Sequence, residues 1–235
     1  MPALRTPPAI TDDMAVLLDL DGTLIEFAAT PDAVIVPPEL PGILRALRGR
    51  LGDAVAIVTG RPIAQVNALL GDAPYAVAGE HGTALRRAPG AAIAFSPLPA
   101  LPAGWALRAQ QAASAHDGAL YEPKAHGFVL HFRRASGAGP ALRAAAESIL
   151  ATHPDFMLMP ASMAWEVKPR AADKGVAVRA LMAQAPFAGR RPVYIGDDVT
   201  DEDGIRAAQD MGGIGLKMKY YFSDTAAVRR WLAGG

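Results

Sequence analysis

No cysteine occurs in the 235 residues, so disulfides, thiolate metal sites and cysteine nucleophiles are excluded. The absence fits a reducing, cytoplasmic setting. Charge of one sign is also missing. With 23 basic and 23 acidic residues the formal net charge is zero, and no global field recruits nucleic acid or an anionic membrane. No basic stripe interleaved with aromatics is present, which argues further against a nucleic-acid partner. No apolar run reaches the length of a membrane span. The opening MPALRTPPAITDD reads as a short disordered lead, and no internal repeat is visible. What remains is a chain that is 51% hydrophobic, enough for one large domain or two modest ones.

Residues 14–20 form an apolar run bounded by a turn, the pattern of a parallel strand covered on both faces. Helical spacing follows over 37–50, a strand over 53–58, a helix after Pro62 and a strand over 75–78. Near residue 90 the texture changes, with Pro89, Pro97, Pro99 and Pro102 as breakers. Then come a helix at 105–114, strands around 120–124 and 127–133, a helix at 140–151, and short strands at 156–160 and 163–168. From Asp173 the first texture returns: a helix over 174–184, a strand over 191–195, a helix from Thr200 or Asp201, a strand at 212–216 and a helix at 224–233. The expectation is a Rossmann-like α/β core with a parallel sheet, made of residues 1–100 and 173–235. An α+β domain with an antiparallel sheet, residues 101–172, is inserted into it.

The first strand ends in Asp19-Leu20-Asp21-Gly22-Thr23. In open α/β sheets ligands bind beyond the carboxyl ends of the strands, and residues two apart share a face. Two carboxylates there suit either nucleophile-plus-proton chemistry or a hard cation such as magnesium. A solvated turn that happens to hold two acids is the plain alternative. Thr59-Gly60-Arg61 ends a second core strand and opens a helix, a place for phosphate, although Arg61 alone also suits a surface ion pair. Asp197, Asp198, Asp201, Glu202 and Asp203 put five acids in seven positions, which repel unless a cation lies near. Some of them, or Thr200, suit capping. Lys174 opens the helix that precedes this strand.

DLDGT at 19–23, TGR at 59–61, KG at 174–175 and GDDVTDED at 196–203 resemble, in order, the four motifs of the haloacid-dehalogenase-like hydrolases. The insert between the second and third motifs resembles a C2-type cap. GEHG at 79–82, the pattern of Glu122, Lys124, His131 and Arg133, and the pair Glu166 and Lys168 resemble trehalose-phosphate phosphatases. The resemblance covers most of 14–216 and weakens at GLKMKYYFSD. It implies Asp19 as nucleophile, Asp21 as general acid/base, and Thr59, Gly60, Arg61 and Lys174 around the phosphate. It implies Mg²⁺ at Asp19, the Asp21 backbone carbonyl and Asp197, with Asp198 and Asp201 counted among the metal-binding acids. It also implies a small-molecule sugar phosphate, bound through His81, Glu122, Lys124, His131, Arg133, Glu166 and Lys168. For the cap residues the bland alternative is the wet face of a sheet. Phosphatases for sucrose 6-phosphate or glycosyl-3-phosphoglycerate, a sugar phosphomutase, and a catalytically silent sugar-phosphate-binding regulator share parts of this pattern. Tyr220, Tyr221 and Phe222 suit core packing or a small interface.

Overall fold

The structure is a computed structural model that describes residues 3–28, 33–96, 98–124 and 126–234; the readings of Met1, Pro2 and Pro97 lie outside them. The chain divides into two compact units, Met1–Ser96 with Asp173–Gly235, and Pro97–Ala172.

The first unit is built on β1 (Met14–Leu18), whose five residues are all buried. An all-apolar strand is stable only with cover on both faces, which is the position β1 takes at the middle of a mostly parallel sheet. It pairs in parallel with β2 (Val55–Val58) on one side and β10 (Arg191–Gly196) on the other. The sheet extends through β3 (Ala76–Gly79) at one side and β11 (Ile214–Lys217) at the other. Helix α1 (Leu40–Arg50) buries Leu40, Leu44 and Leu47, and α2 (Ile63–Leu70) buries Ile63, Val66 and Leu70, the stripes that helical spacing anticipates. Helix α5 (Lys174–Met182) starts at Asp173, whose carboxylate accepts from the Gly175 amide at 2.5 Å. Helix α6 (Asp201–Asp210) follows β10. Thr200 stands at its N-cap but makes no capping bond. A short α7 (Met218–Tyr221) and then α8 (Thr225–Leu232) close the unit.

Two features differ from the sequence expectation. The proline-bearing stretch near residue 90 does not leave the core sheet at once. Strands β4 (Ala84–Arg86) and β5 (Ile93–Phe95) continue it in antiparallel sense, giving seven strands in the order β11-β10-β1-β2-β3-β4-β5. The lead is also not loose over its described part. The Arg5 amide donates to Tyr220 O at 2.8 Å, Trp231 Nε1 donates to Pro8 O at 2.8 Å, and Ile10 packs on the core. Phe222 is buried while Tyr220 stays exposed, so the aromatic triplet splits between the core and the surface.

The second unit has its own core, centred on Trp105, Phe128, Leu130, Leu142, Phe156 and Val167. Helices α3 (Trp105–Ser114) and α4 (Gly139–Leu150) accompany an antiparallel sheet of β6 (Leu120–Pro123), β7 (Phe128–His131), β9 (Ala164–Pro169) and β8 (Phe156–Ala161), in that order. Phe128 and Leu130 point into this core, so Val129 and His131 occupy the opposite face. Cross-strand register places Glu122 opposite Val129 and Val129 opposite Glu166, which gathers the cap carboxylates on that same face. The face is not fully wet: Glu166 and Lys168 are buried. Among the described residues no helix is long and apolar enough to cross a membrane.

Candidate active site

The carboxyl ends of β1, β2, β3 and β10 bring the sequence motifs of the first unit together. Asp19 follows β1 directly, and its amide donates to Ile195 O at 2.9 Å, so the residue is positioned by the sheet ladder itself. Its carboxylate is buried. Oδ1 accepts from Lys174 Nζ at 2.8 Å and Oδ2 from Thr23 Oγ1 at 3.2 Å. Lys174 also donates to Asp201 Oδ1 at 2.7 Å, and so bridges two acids that lie 182 positions apart in chain order but share one crevice. Asp201 is held by two further donors, Tyr194 Oη at 2.7 Å on Oδ1 and the Asp198 amide at 3.0 Å on Oδ2. Gly196 makes room for this carboxylate, because a Cβ there would lie 2.1 Å from Asp201 Cγ.

Oxygen atoms of Asp19, Asp197 and Asp201 lie within 4.8 Å of one another. Asp197 Oδ1 is buried and accepts no hydrogen bond from the described residues. Two of these carboxylates share the Lys174 ammonium, and the third, Asp197, keeps a buried oxygen without a donor among the described residues. That donor set fits a hard, oxygen-seeking cation. The electrostatics agree. Burial and the charges of Asp201 and Asp198 push Asp197 up to about 6. Burial and Asp201 raise Asp19 well above the usual carboxylate range, with Lys174 pulling the other way. For Lys174 burial opposes the charge, but Asp19 and Asp201 outweigh it and raise the ammonium's pKa.

Gly22 turns the chain after Asp21 with φ +78°, and the Asp197 carboxylate packs where its Cβ would be, with Oδ2 at 2.3 Å. No other residue combines that backbone with that space. The Asp21 carboxylate is not one of that close acid group. Arg61 grips it with both arms, Nε to Oδ2 and Nη2 to Oδ1, each at 2.7 Å. Asp198 likewise turns its side chain elsewhere, accepting from the Val199 amide at 2.6 Å. The side chains of Asp21 and Asp198 thus stand outside the Asp19, Asp197 and Asp201 group.

Thr59 is buried, and its Oγ1 accepts from the Arg61 amide at 3.2 Å. Gly60 lies under the His81 imidazole, whose Nε2 would be 2.8 Å from a Cβ there. Glu80 and His81 both adopt left-handed backbone, φ 49° and 56°, which is costly for residues other than glycine. Ladder bonds hold them: the Glu80 amide donates to Arg61 O and the His81 amide to Thr59 O, both at 3.0 Å. The strained turn therefore seats His81 against the TGR loop.

In the second unit Glu122 takes Lys124 Nζ on Oε1 at 2.6 Å and His131 Nε2 on Oε2 at 2.7 Å. Burial works against its charge, but these two partners carry its pKa down to about 2. Arg133 is not part of that group and donates to Ser162 O and Oγ at 3.2 and 2.9 Å. Lys168 Nζ donates to Ala172 O at 2.6 Å.

Three neighbours escaped the sequence reading. Thr23 sits inside the quoted DLDGT string, and its hydroxyl donor was there to be weighed. Tyr194 had no signal: an apolar strand position reveals nothing of the Asp201 carboxylate beside it. Lys217 answers part of the demand for positive charge near the acid block, since its ammonium reaches the Glu202 carboxylate and, at 3.2 Å, Asp198 O.

Comparison with known proteins gives a consistent result. The trehalose-phosphatase family profile matches residues 17–225. A probable trehalose-phosphate phosphatase of Sinorhizobium fredii is 38% identical over 208 residues, 88% of this chain and 78% of that protein. The trehalose-6-phosphate phosphatase of Escherichia coli is 33% identical over 215 residues, 92% of this chain and 81% of that protein. Among solved structures, the C-terminal domain of the Candida albicans trehalose-6-phosphate phosphatase superposes with a TM-score of 0.77, covering 98% of this chain and 99% of that one, at 19% identity. That likeness concerns the fold.

Proposed function

The chain belongs to the trehalose-phosphatase family, and from that membership we propose that it hydrolyses trehalose 6-phosphate to trehalose and inorganic phosphate. Asp19 is the nucleophile: its carboxylate bonds to phosphorus as the bond from phosphorus to the sugar oxygen breaks. Asp21 gives that oxygen a proton. In the second half Asp21 takes a proton from water, the water oxygen bonds to phosphorus, and the Asp19–phosphorus bond breaks to release phosphate. Lys174, the Thr59 hydroxyl and the Gly60 amide stabilise the phosphoryl oxygens. Asp19, Asp197 and the backbone carbonyl of Asp21 would hold Mg²⁺, which when bound would offset repulsion between the carboxylate and the phosphate dianion. Asp201 belongs to the same acid group and anchors Lys174. The unit Pro97–Ala172 acts as the specificity cap, with Glu122, Lys124, His131, Arg133, Glu166 and Lys168 hydrogen-bonding sugar hydroxyls, and His81 contributing from the first unit. The setting is cytoplasmic.

The observation that carries this reading is the buried bridge from Lys174 to Asp19 at 2.8 Å and to Asp201 at 2.7 Å. A buried carboxylate kept beside a fixed cation at a strand end is an arrangement for attack, which a solvated turn does not need. Asp19→Asn is expected to lower phosphate release from trehalose 6-phosphate by about a thousandfold or more. Near-normal turnover in that variant overturns the nucleophile. Turnover of trehalose 6-phosphate beside sucrose 6-phosphate and glucosyl-3-phosphoglycerate tests the substrate, and a preference for either of the latter overturns it.

A further inference from the structure

We propose that Arg61 is a positioning residue for Asp21 and is not itself a phosphate ligand; this rests on the reading of Asp21 as the proton carrier. The guanidinium is committed. Nε and Nη2 fork onto the two oxygens of Asp21 at 2.7 Å each, and Nη1 donates to Gln65 Oε1 at 3.3 Å. The arginine is anchored at its backbone too, where its amide donates to Thr59 Oγ1 and its carbonyl accepts from the Glu80 amide at 3.0 Å. Its side chain is only 10% exposed. An arm this well fixed is a reference point and not a mobile finger.

Asp21 needs such a reference. It lies past the end of β1, where among the described residues its backbone makes only an isolated bridge to Ile25. Its side chain is 23% exposed, against 6% for Asp19. Left to itself, a partly exposed carboxylate on a turn samples several rotamers. One of them brings a further negative charge toward the cluster of Asp19, Asp197 and Asp201. The fork removes that freedom. It fixes the plane of the carboxylate as well as its position, because two parallel N–H···O bonds define both. A lysine supplies the charge without the plane. In the forked state both oxygens accept and Asp21 is a carboxylate; one arm opens as that oxygen takes up a proton from solvent, and the other arm keeps the carboxyl in place while the proton passes to the departing oxygen.

The two roles for Arg61 separate by leaving group. A sugar alkoxide must be protonated as it departs, whereas p-nitrophenolate leaves unprotonated. The full-length protein with magnesium is assayed as wild type, Arg61→Lys, Arg61→Gln, Asp21→Asn and the Arg61→Lys/Asp21→Asn double variant. For both Arg61 variants kcat on trehalose 6-phosphate is expected to fall about 10–100-fold, as for a displaced catalytic group. The pre-steady-state burst of p-nitrophenol from p-nitrophenyl phosphate and the inhibition constant of inorganic phosphate stay within about twofold. Asp21→Asn shows the same split, and the double variant is no worse than Asp21→Asn alone, because a positioner has nothing left to position. Loss of the burst together with weaker phosphate inhibition overturns the proposal and makes Arg61 a phosphate ligand. So do losses that multiply in the double variant, or an unchanged kcat in both single variants. If one Arg61 variant fails to fold, the other carries the test. If Asp21→Asn itself shows no split, it is the reading of Asp21 that fails.

Discussion

At the scale of the residue, two arginines of the first unit have opposite fates. Arg61 finds a carboxylate for its fork. Arg86 is 4% exposed, and among the described residues only its Nη1 has an acceptor, Ala88 O at 3.0 Å; Nε and Nη2 are buried with none. Burial, with Arg48 nearby, lowers its pKa from the usual arginine value. A buried cation with orphaned donors costs stability, about 1–3 kcal/mol for each unmet group. Methionine keeps the unbranched stem and removes the charge. Arg86→Met is therefore expected to leave unfolding free energy unchanged or to raise it by about 1–3 kcal/mol, read from urea unfolding midpoints. A clear loss would mean that the guanidinium has a stabilising role that its hydrogen bonds do not reveal. Nothing in the strings TGR and ALRR distinguishes these two residues. Asp19, Lys174 and Asp197 were legible because their position follows from backbone order alone, at strand ends and a helix start. Arg61 meets Asp21 from forty positions away, Arg86 bonds the carbonyl two residues on, and Tyr194 meets Asp201 across a strand end; residue type alone names none of these partners.

At the scale of the element, the long strands and helices were legible because their apolar periodicity spans whole turns. The helix at Trp105–Ser114, which buries Trp105, Ala109 and Ala113, shows it well. The hairpin β4–β5 was not. Each strand has three residues, β5 is exposed throughout, and its Ile-Ala-Phe run offers no period to detect. Helix α7 has four residues and buries none, so it too leaves no pattern. The β6–β7 pair is informative in another way. Its Glu122 faces Lys124 and His131, with Glu166 on the same face of β9. Folded Glu122 titrates near 2 instead of its ordinary 4.5. Because the folded pKa is depressed, the stabilisation is whole above about pH 4.5 and drains away as pH falls toward about 2. It amounts to something on the order of 3 kcal/mol at neutral pH. Glu122→Gln is expected to unfold more readily at pH 7 and to lose less between pH 5 and about 2 than wild type, by thermal melts across that range. Parallel pH profiles for the two proteins would show that the ion pairs contribute nothing.

At the scale of the whole molecule, a neutral chain hides a strongly uneven distribution of charge. Positive and negative residues cancel in number, yet the first unit concentrates Asp19, Asp197 and Asp201 around a single lysine. The second unit has no comparable acid group among its described residues. A divalent cation that binds the folded first unit and not the unfolded chain stabilises that unit by mass action, by about 2.7 kcal/mol at a hundredfold excess over its dissociation constant. The second unit, with a separate core, gains nothing directly. Magnesium is therefore expected to raise the melting of the first unit and EDTA to return it to its metal-free value, while hydrogen exchange of β6–β9 amides stays unchanged at fixed temperature. Asp197→Asn removes the carboxylate whose Oδ1 lacks a donor, and is expected to erase the magnesium response while leaving the metal-free melting temperature equal or higher, since one of three crowded charges is gone. If magnesium protects both units equally, the ion acts on the protein as a whole and not at this cluster. If Asp197→Asn still responds fully, the ligands lie elsewhere.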